Sequence, residues 1–304
     1  MSVLLGVDVG GTAVKLGLLT ATGEVIARAA IPFDPSQPFD TVVAAICEAG
    51  AALLAGRTPE AVGIATPGHA DPATGILLDG ANNVPALRGH SLPAAIGRQF
   101  GVPAFVGNDG TCATLAEMRF GAGRPFSRFV LITIGTGIGG GVVIDRRVVT
   151  GPDGLPPEIG ALCLDPDGPL NYSRVRGTFE RLASAPALVE RYQREAGRRD
   201  AISAEEVFRL AAIGQQAAGT AVDGMARIIA QAFGIMTNLL NLEACIVGGG
   251  ASAAGEVLLD AVRRHLPSFT WPALHRNVRV LLARHRNDAG IIGAAALAAQ
   301  RMRT

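Results

Sequence analysis

The sequence predicts an α/β protein of two domains, and three observations carry that expectation. Its 304 residues exceed what one hydrophobic core usually organises. Val3–Val9, the glycine turn Gly10–Gly11, Val14–Leu19 and Val25–Ala30 read as strand, glycine turn, strand, short turn and strand. Phe129–Ile134, Gly135–Gly141, Val142–Asp145 and Arg147–Val149 repeat that order about 125 residues later, which suggests a duplication in which each copy seeds its own sheet.

After each meander, helices alternate with strands, the pattern of a sheet with a parallel component. Thr41–Leu54 reads as a helix and Ala61–Ala65 as a short buried strand. Ser91 caps a helix that Gly101 ends, Val102–Val106 is a strand, and Thr111–Phe120 is a helix stopped by Gly121. Helical stretches fill Thr178–Leu242. They precede strand Ala244–Val247, a helix to about Leu266, strand Val278–Ala283 and a terminal helix Ala289–Arg301. Gly121, Gly123 and Pro125 place a hinge near residues 110–128. The expected units are residues 1–118, completed by the helix near 289–304 packing back on them, and a larger unit of residues 119–288.

Lys plus Arg is 27 against 26 for Asp plus Glu, so no broad field attracts nucleic acid, an anionic membrane or a polyanion. Apolar residues make up 49%, and the 39 glycines are about 13% against a usual ~7%, which excludes a disordered chain. The longest stretches without Asp, Glu, Lys or Arg, at 129–144 and 228–242, fall short of the ~20 residues of a membrane span. The start of the chain lacks the features of a secretory signal, and Cys47, Cys112, Cys163 and Cys245 are far apart among apolar neighbours. The expectation is a cytoplasmic protein with buried thiols.

Four motifs put polar chemistry beside abrupt glycine turns. Asp8-Val9-Gly10-Gly11-Thr12 ends an apolar strand with a carboxylate and bare N–H groups, which suits a Mg²⁺-phosphate ligand and equally an ordinary capped hairpin. Gly135-Thr136-Gly137-Ile138-Gly139-Gly140-Gly141 has GxGxxG spacing, but strand rather than helix follows, so a phosphate cradle survives and a dinucleotide fold does not. Val247-Gly248-Gly249-Gly250 leads from strand to helix and is the best case for a dinucleotide oxidoreductase, yet too little chain follows for a complete dinucleotide half. In Asn108-Asp109, a buried strand ends where a helix starts. Asp109 is either that helix's N-cap or an ionised carboxylate, held charged by the helix N-terminus, that accepts a hydroxyl proton as a weak base.

With Asp8-Gly10-Gly11-Thr12, Asn108-Asp109, Gly135 to Gly140, Glu158-Ile159-Gly160 and Gly248-Gly249-Gly250 in this order, the chain resembles the ROK family of sugar kinases, part of the actin-like ATPase superfamily. The similarity runs from about Leu4 to Ala298 and includes Thr66-Pro67-Gly68, Ala116-Glu117 with Phe120-Gly121, and Asn287–Ala296. It implies two RNase H-like domains around a cleft, with MgATP on one side and a hexose on the other. Asp109 would be the base for the sugar 6-hydroxyl. Gly68, Asn83, Asn108, Glu158 and Glu180 would bind the sugar. Asp8, Gly10, Gly11 and Thr12 would face Mg²⁺, through water at Asp8, and phosphates; Gly135, Thr136 and Gly137 would cradle the β- and γ-phosphates; Gly249 and Gly250 would border the adenosine.

The departures from the family pattern are as specific. Family members commonly carry a His after Glu-x-Gly and then Cys-x-Cys-Gly-x-x-Gly-Cys-x-Glu, which together bind a structural zinc. Ala161, Asn171, Ser173 and Thr178 hold the four ligand positions here, while Gly177 and Glu180 remain, so no zinc is expected. The usual Lys after the first Thr is Ala13, and Lys15 lies two residues on, on the same strand face. The resulting expectation is an ATP-dependent hexose kinase acting on the 6-hydroxyl of glucose or a relative. An N-acetylmannosamine or N-acetylglucosamine kinase, a polyphosphate-using glucokinase and a non-catalytic sugar-binding protein are the alternatives. The expected partners are a hexose or N-acetylhexosamine, with no nucleic acid and no membrane, and the expected assembly is a homodimer.

Overall fold

A computed structural model describes residues 2–80, 84–197, 199 and 201–303. The chain divides into two compact units: Met1–Gly121 with Val148–Pro157 and Asn287–Thr304, and Ala122–Arg147 with Glu158–Arg286. The segment 148–157, assigned above to the larger unit, groups with the first.

In unit 1, β1 (Val3–Val9), β2 (Ala13–Thr20) and β3 (Val25–Pro32) form the antiparallel meander. Next come α1 (Phe39–Leu54), β4 (Val62–Thr66), the hairpin β5 (His69–Ala70) and β6 (Leu77–Asp79), α2 (Leu92–Phe100), β7 (Ala104–Asn108) and α3 (Asp109–Phe120). The sheet order is β3-β2-β1-β4-β7, with β1, β4 and β7 parallel. β1 is apolar almost throughout because it is central and covered on both faces, whereas the edge strand β3 alternates between half-buried and exposed residues. α1 buries Val42, Ile46, Gly50 and Leu54, a stripe at i, i+4 that faces the sheet.

Unit 2 repeats the plan. β8 (Phe129–Ile134), β9 (Ile138–Ile144) and β10 (Arg147–Val148) precede α4 (Phe179–Ala183), α5 (Ala185–Ala196), α6 (Ala204–Ala212), α7 (Gln216–Leu240), β11 (Ala244–Gly248), α8 (Glu256–His265), α9 (Pro272–His275) and β12 (Arg279–Leu282). Its order, β10-β9-β8-β11-β12, is that of unit 1, so each copy of the repeat does seed a sheet. The chain then returns to unit 1 as α10 (Ala289–Arg301).

α10 lies on β1, β4 and α3 at backbone distance. A Cβ on Gly6 would strike the Ile291 carbonyl, one on Gly63 the Ala294 carbonyl, and one on Gly293 the Cys112 carbonyl. Glycine is required at these three positions because two main chains touch there.

The structure corrects several expectations. Gly139, Gly140 and Gly141 are not turn residues but rungs of β9, paired with Thr133, Ile132 and Leu131 of β8. Gly140 has φ 145° and sits so close to the Leu131 carbonyl that no side chain fits, so these glycines serve strand contact. Asp145, read as the end of a strand, forms with Arg146 a two-residue hairpin turn with φ of 50° and 59°. The residues after Gly249 form a short 3₁₀ turn before α8 begins. Cys47, Cys112 and Cys245 are buried as expected, but Cys163 is exposed, although its main chain pairs with that of the buried Thr178. Among the described residues, no helix is long and apolar enough to cross a membrane.

Gly293→Ala should therefore cost at least about 1–3 kcal/mol by overpacking α10 against α3. Gly219→Ala, on an open face of α7 with nothing within 4 Å, should instead gain about 0.5–1 kcal/mol from helix propensity. Urea unfolding of both variants checks the contrast; equal effects of the same sign would contradict the packing.

Candidate functional site

Asp8 and Asp109 stand at the carboxyl ends of parallel strands in unit 1. The register aligns Asp8 with Ala65 and Ala65 with Gly107, so the ends of β1 and β7 are level, two strand spacings or ~10 Å apart. Asp8 is half-buried and accepts no hydrogen bond among the described residues. A Cβ on Gly290, in the first turn of α10, would overlap its carboxyl group, so glycine there lets the helix reach the acid. Burial raises the pKa of Asp8 to about 6; Lys15, its cross-strand partner, opposes the shift and the charge of Asp109 adds to it. Lys15 Nζ reaches the Asn287 carbonyl at 3.5 Å.

Asp109 is the first residue of α3, and the capping role left open above belongs to its neighbour. Asn108 Oδ1 accepts from Gly110 N–H at 2.9 Å and Thr111 N–H at 3.2 Å, while its amide donates to the Gly68 carbonyl at 3.1 Å. That occupies the oxygen, and the amide is shared between the Gly68 carbonyl and the Asp109 carboxylate beside it. Asp109 Oδ1 accepts from Gly110 N–H at 2.7 Å. The residue is open to solvent at its surface but set among protein atoms, and this desolvation raises its pKa against the lowering hydrogen bonds of Gly110, its own N–H and Asn108. The expectation that the helix N-terminus dominates is thus corrected: burial does, and it makes Asp109 a stronger base. Behind both acids, the fully buried Cys112 is pushed well above the usual thiol range by burial, then by Asp109 and Asp8, and stays a thiol.

The turn between β1 and β2 closes with Gly10 N–H donating to the Ala13 carbonyl at 2.9 Å. Gly11 and Thr12 keep N–H groups without partners among the described residues, the arrangement an anion needs.

Unit 2 holds a second such turn. Gly135 N–H donates to the Gly137 carbonyl at 2.9 Å, and the N–H groups of Thr136 and Gly137 have no partner among the described residues. Gly249, with φ 72°, lies on this turn's leading strand; its Cβ would be 2.6 Å from Ile134 N and O. Gly250 opens the 3₁₀ turn beyond. Glu158 is exposed and precedes a 3₁₀ turn at Ile159–Ala161. Glu180 does not stand free: its Oε2 accepts from Ile138 N–H at 2.9 Å. Unit 1 therefore groups Asp8, Gly10, Gly11, Thr12, Gly68, Asn108 and Asp109, and unit 2 groups Gly135, Thr136, Gly137, Glu180, Gly249 and Gly250, with Glu158 nearby in its chain. Asn83 lies outside the described residues.

At the positions of the family's zinc ligands, Asn171 Oδ1 accepts from Val175 N–H at 2.9 Å and Thr178 caps α4 through Arg181 N–H at 3.2 Å. The loop is closed by backbone bonds from Leu164 and Asp165 to the Gly177 carbonyl, and Gly177, φ 49°, is pressed against the Asp165 carbonyl. Among the described residues no cluster of three His, Cys, Asp or Glu forms a metal cage. Magnesium asks less, since it keeps most of its waters and takes one or two carboxylates, and the buried, unbonded Asp8 carboxylate fits that need. A cavity of about 450 Å³ in unit 1, lined by Gly68, His69, Thr74, Asn108, Thr111 and Pro156 among others, adjoins Asn108 but includes neither Asp8 nor Asp109. Gly290 was missed by sequence reasoning although the segment around it was part of the resemblance, because nothing local reveals which side chain a helix glycine will meet.

A ROK family model matches residues 4–301. The chain is 31% identical to a glucokinase of Thermotoga maritima over 312 residues, covering 98% of each. It is also 31% identical to an N-acetylmannosamine kinase of Escherichia fergusonii, covering 97% of each. Its fold matches a ROK family glucokinase from Streptomyces griseus, crystallised with glucose and AMPPNP, with a TM-score of 0.85 at 31% identity, over 98% of this chain and 100% of that one.

Because the folded pKa of Asp8, about 6, lies above its unfolded value near 3.8, the proton stabilises the folded state. That contribution, roughly 3 kcal/mol at ~1.4 kcal/mol per unit, is fully present below pH 4 and lost as pH rises through 6. Asp8→Asn should therefore make the ligand-free protein more stable than wild type at pH 7–8 and flatten its stability profile between pH 4 and 6, as followed by urea unfolding. Parallel profiles would contradict the burial of this carboxylate.

Proposed function

The chain belongs to the ROK family, and from that premise we propose that it is a sugar kinase that transfers the γ-phosphate of ATP to the 6-hydroxyl of glucose or a related hexose. The observation that carries this reading is the pair of carboxylates with raised proton affinity, Asp8 and Asp109, beside a turn with unpaired N–H groups. Asp109 takes the proton of the attacking hydroxyl as the phosphoryl group departs, and its raised pKa brings it nearer the working pH than an ordinary aspartate. Phosphoryl transfer through a loose transition state asks for alignment and charge neutralisation more than for early deprotonation, so one moderate base suffices.

The amide of Asn108, beside Asp109, and the carboxylate of Glu158 hold sugar hydroxyls. The bare N–H groups of Gly11, Thr12, Thr136 and Gly137 face phosphate oxygens, and Gly249 and Gly250 border the adenosine. A magnesium ion, held through water at Asp8, would supply neutralisation of phosphate charge. No zinc is needed to order the 161–180 loop, because backbone bonds and the Gly177 contact already close it.

An N-acetylmannosamine or N-acetylglucosamine kinase is the second reading. It is favoured by the small Ala161 where the family carries His, and by equal identity to relatives of both names.

Coupled ADP release over hexoses and N-acetylhexosamines, repeated with polyphosphate as donor, decides among these; no turnover of any sugar would overturn the kinase reading. Asp109→Asn should lower kcat at least about 10²-fold with sugar affinity retained, and near-normal turnover would remove Asp109 from the chemistry. Protein purified without chelator should carry well under one zinc per chain by elemental analysis, whereas stoichiometric zinc would refute the metal-free loop.

A further inference from the structure

We infer that Glu180 is a positioning residue for the phosphate turn Gly135–Gly137 and couples sugar occupancy to nucleotide affinity. This rests on the kinase reading above and assigns Glu180 a second task within it. The carboxylate lies against the turn's main chain: Oε2 accepts from Ile138 N–H at 2.9 Å, and a Cβ at Gly137 would stand 2.5 Å from that oxygen. Across the turn, Ala185 N–H donates to the Gly135 carbonyl at 2.9 Å, and Ser184 N–H donates to the Glu180 carbonyl at 3.1 Å. α4 and the start of α5 thus clasp the turn at both ends, by a side chain at one and by main chain at the other.

The opposite flank of Glu180 faces the segment that carries Glu158. A Cβ on Gly160 would lie 3.6 Å from Glu180 Cβ and would overlap the Ile138 carbonyl, so Glu180, the turn and the Glu158-Ile159-Gly160 segment pack without intervening atoms. Oε1 of Glu180 accepts no hydrogen bond among the described residues. One carboxylate can hold the turn through Oε2 and accept a sugar hydroxyl through Oε1. Because Ile138 N–H is already taken, the phosphates are left the N–H groups of Thr136 and Gly137, whose direction Glu180 fixes. A hydroxyl bound to Oε1 also offsets a negative charge that otherwise faces the polyphosphate, so sugar tightens nucleotide and nucleotide tightens sugar by the same factor.

Titration calorimetry of the full chain with a non-hydrolysable ATP analogue and Mg²⁺, with and without the sugar turned over fastest in the ADP-release panel, tests this. In wild type, sugar should lower the nucleotide Kd at least about fivefold; no change would overturn the coupling. Without sugar, Glu180→Ala should raise the nucleotide Kd at least about tenfold, while Glu180→Gln, which keeps an acceptor oxygen for Ile138 N–H and removes the charge, should bind nucleotide at least as tightly as wild type and lose the tightening by sugar. Gly137→Ala displaces the same carboxylate without deleting it and should weaken nucleotide as Glu180→Ala does, so it carries the test if Glu180→Ala does not fold. A sugar defect with unchanged nucleotide Kd in both alanine variants would reduce Glu180 to a sugar contact and overturn the inference while leaving the kinase reading intact. A wild-type protein that binds no nucleotide at all would overturn both.

Discussion

Helix α10 touches the sheet of unit 1 main chain to main chain, and nothing larger than hydrogen is admitted at Gly6, Gly63 or Gly293 where they meet. This close approach brings the first turn of the helix, through Gly290, against the carboxyl group of Asp8. It also fixes α3, whose first residue is Asp109, since Gly293 abuts the Cys112 carbonyl. The two acids are consequently held at the ends of rigid strands among protein atoms, Asp8 half-buried and Asp109 open at its surface, and desolvation raises the proton affinity of both. The exposed Arg28–Asp288 pair at 2.7 Å marks the entry to α10 but adds little, because ion pairs in water contribute only about 0–1 kcal/mol.

A carboxylate whose surroundings raise its proton affinity is a local cost that a folded protein tends to keep where something else uses it. For Asp8 the candidate is a cation that arrives with the substrate, and for Asp109 it is the proton of an acceptor hydroxyl. In the proposed kinase, unit 2 would meet phosphate with main chain alone, in a turn whose next N–H, that of Ile138, is taken by Glu180. The near-zero net charge is consistent with that proposal, since it supplies no surface field to attract an anion.

Much of this was legible in the sequence where the cue was local. Val3–Val9, Phe129–Ile134 and Ala289–Arg301 were delimited to the residue, because apolar runs there end abruptly at glycine, aspartate or a change of period. The glycines misled in both directions. Gly139–Gly141 read as turn because glycine is frequent in turns, yet glycine equally lets two strands meet at main-chain distance, as Gly140 does with Leu131. Gly290 carried no signal, since its partner, Asp8, lies 282 positions away in the chain and only the packing of α10 joins them. The start of α3 fell two residues before the expected Thr111 because Asn108, rather than Asp109, turned out to be the cap. For Glu180, family resemblance supplied the residue but not the direction of its carboxylate, which is settled by the packing of α4 on β9.

A carboxyl ¹³C NMR titration of the ligand-free protein, with Asp8 assigned through its asparagine variant, reaches the burial of these acids without passing through activity. Asp8 should titrate with a midpoint near pH 6, and the midpoint should fall when Asp109→Asn removes the neighbouring charge. A midpoint near 4, unmoved by that substitution, would mean that the acid is hydrated and independent, and that α10 does not hold it as described.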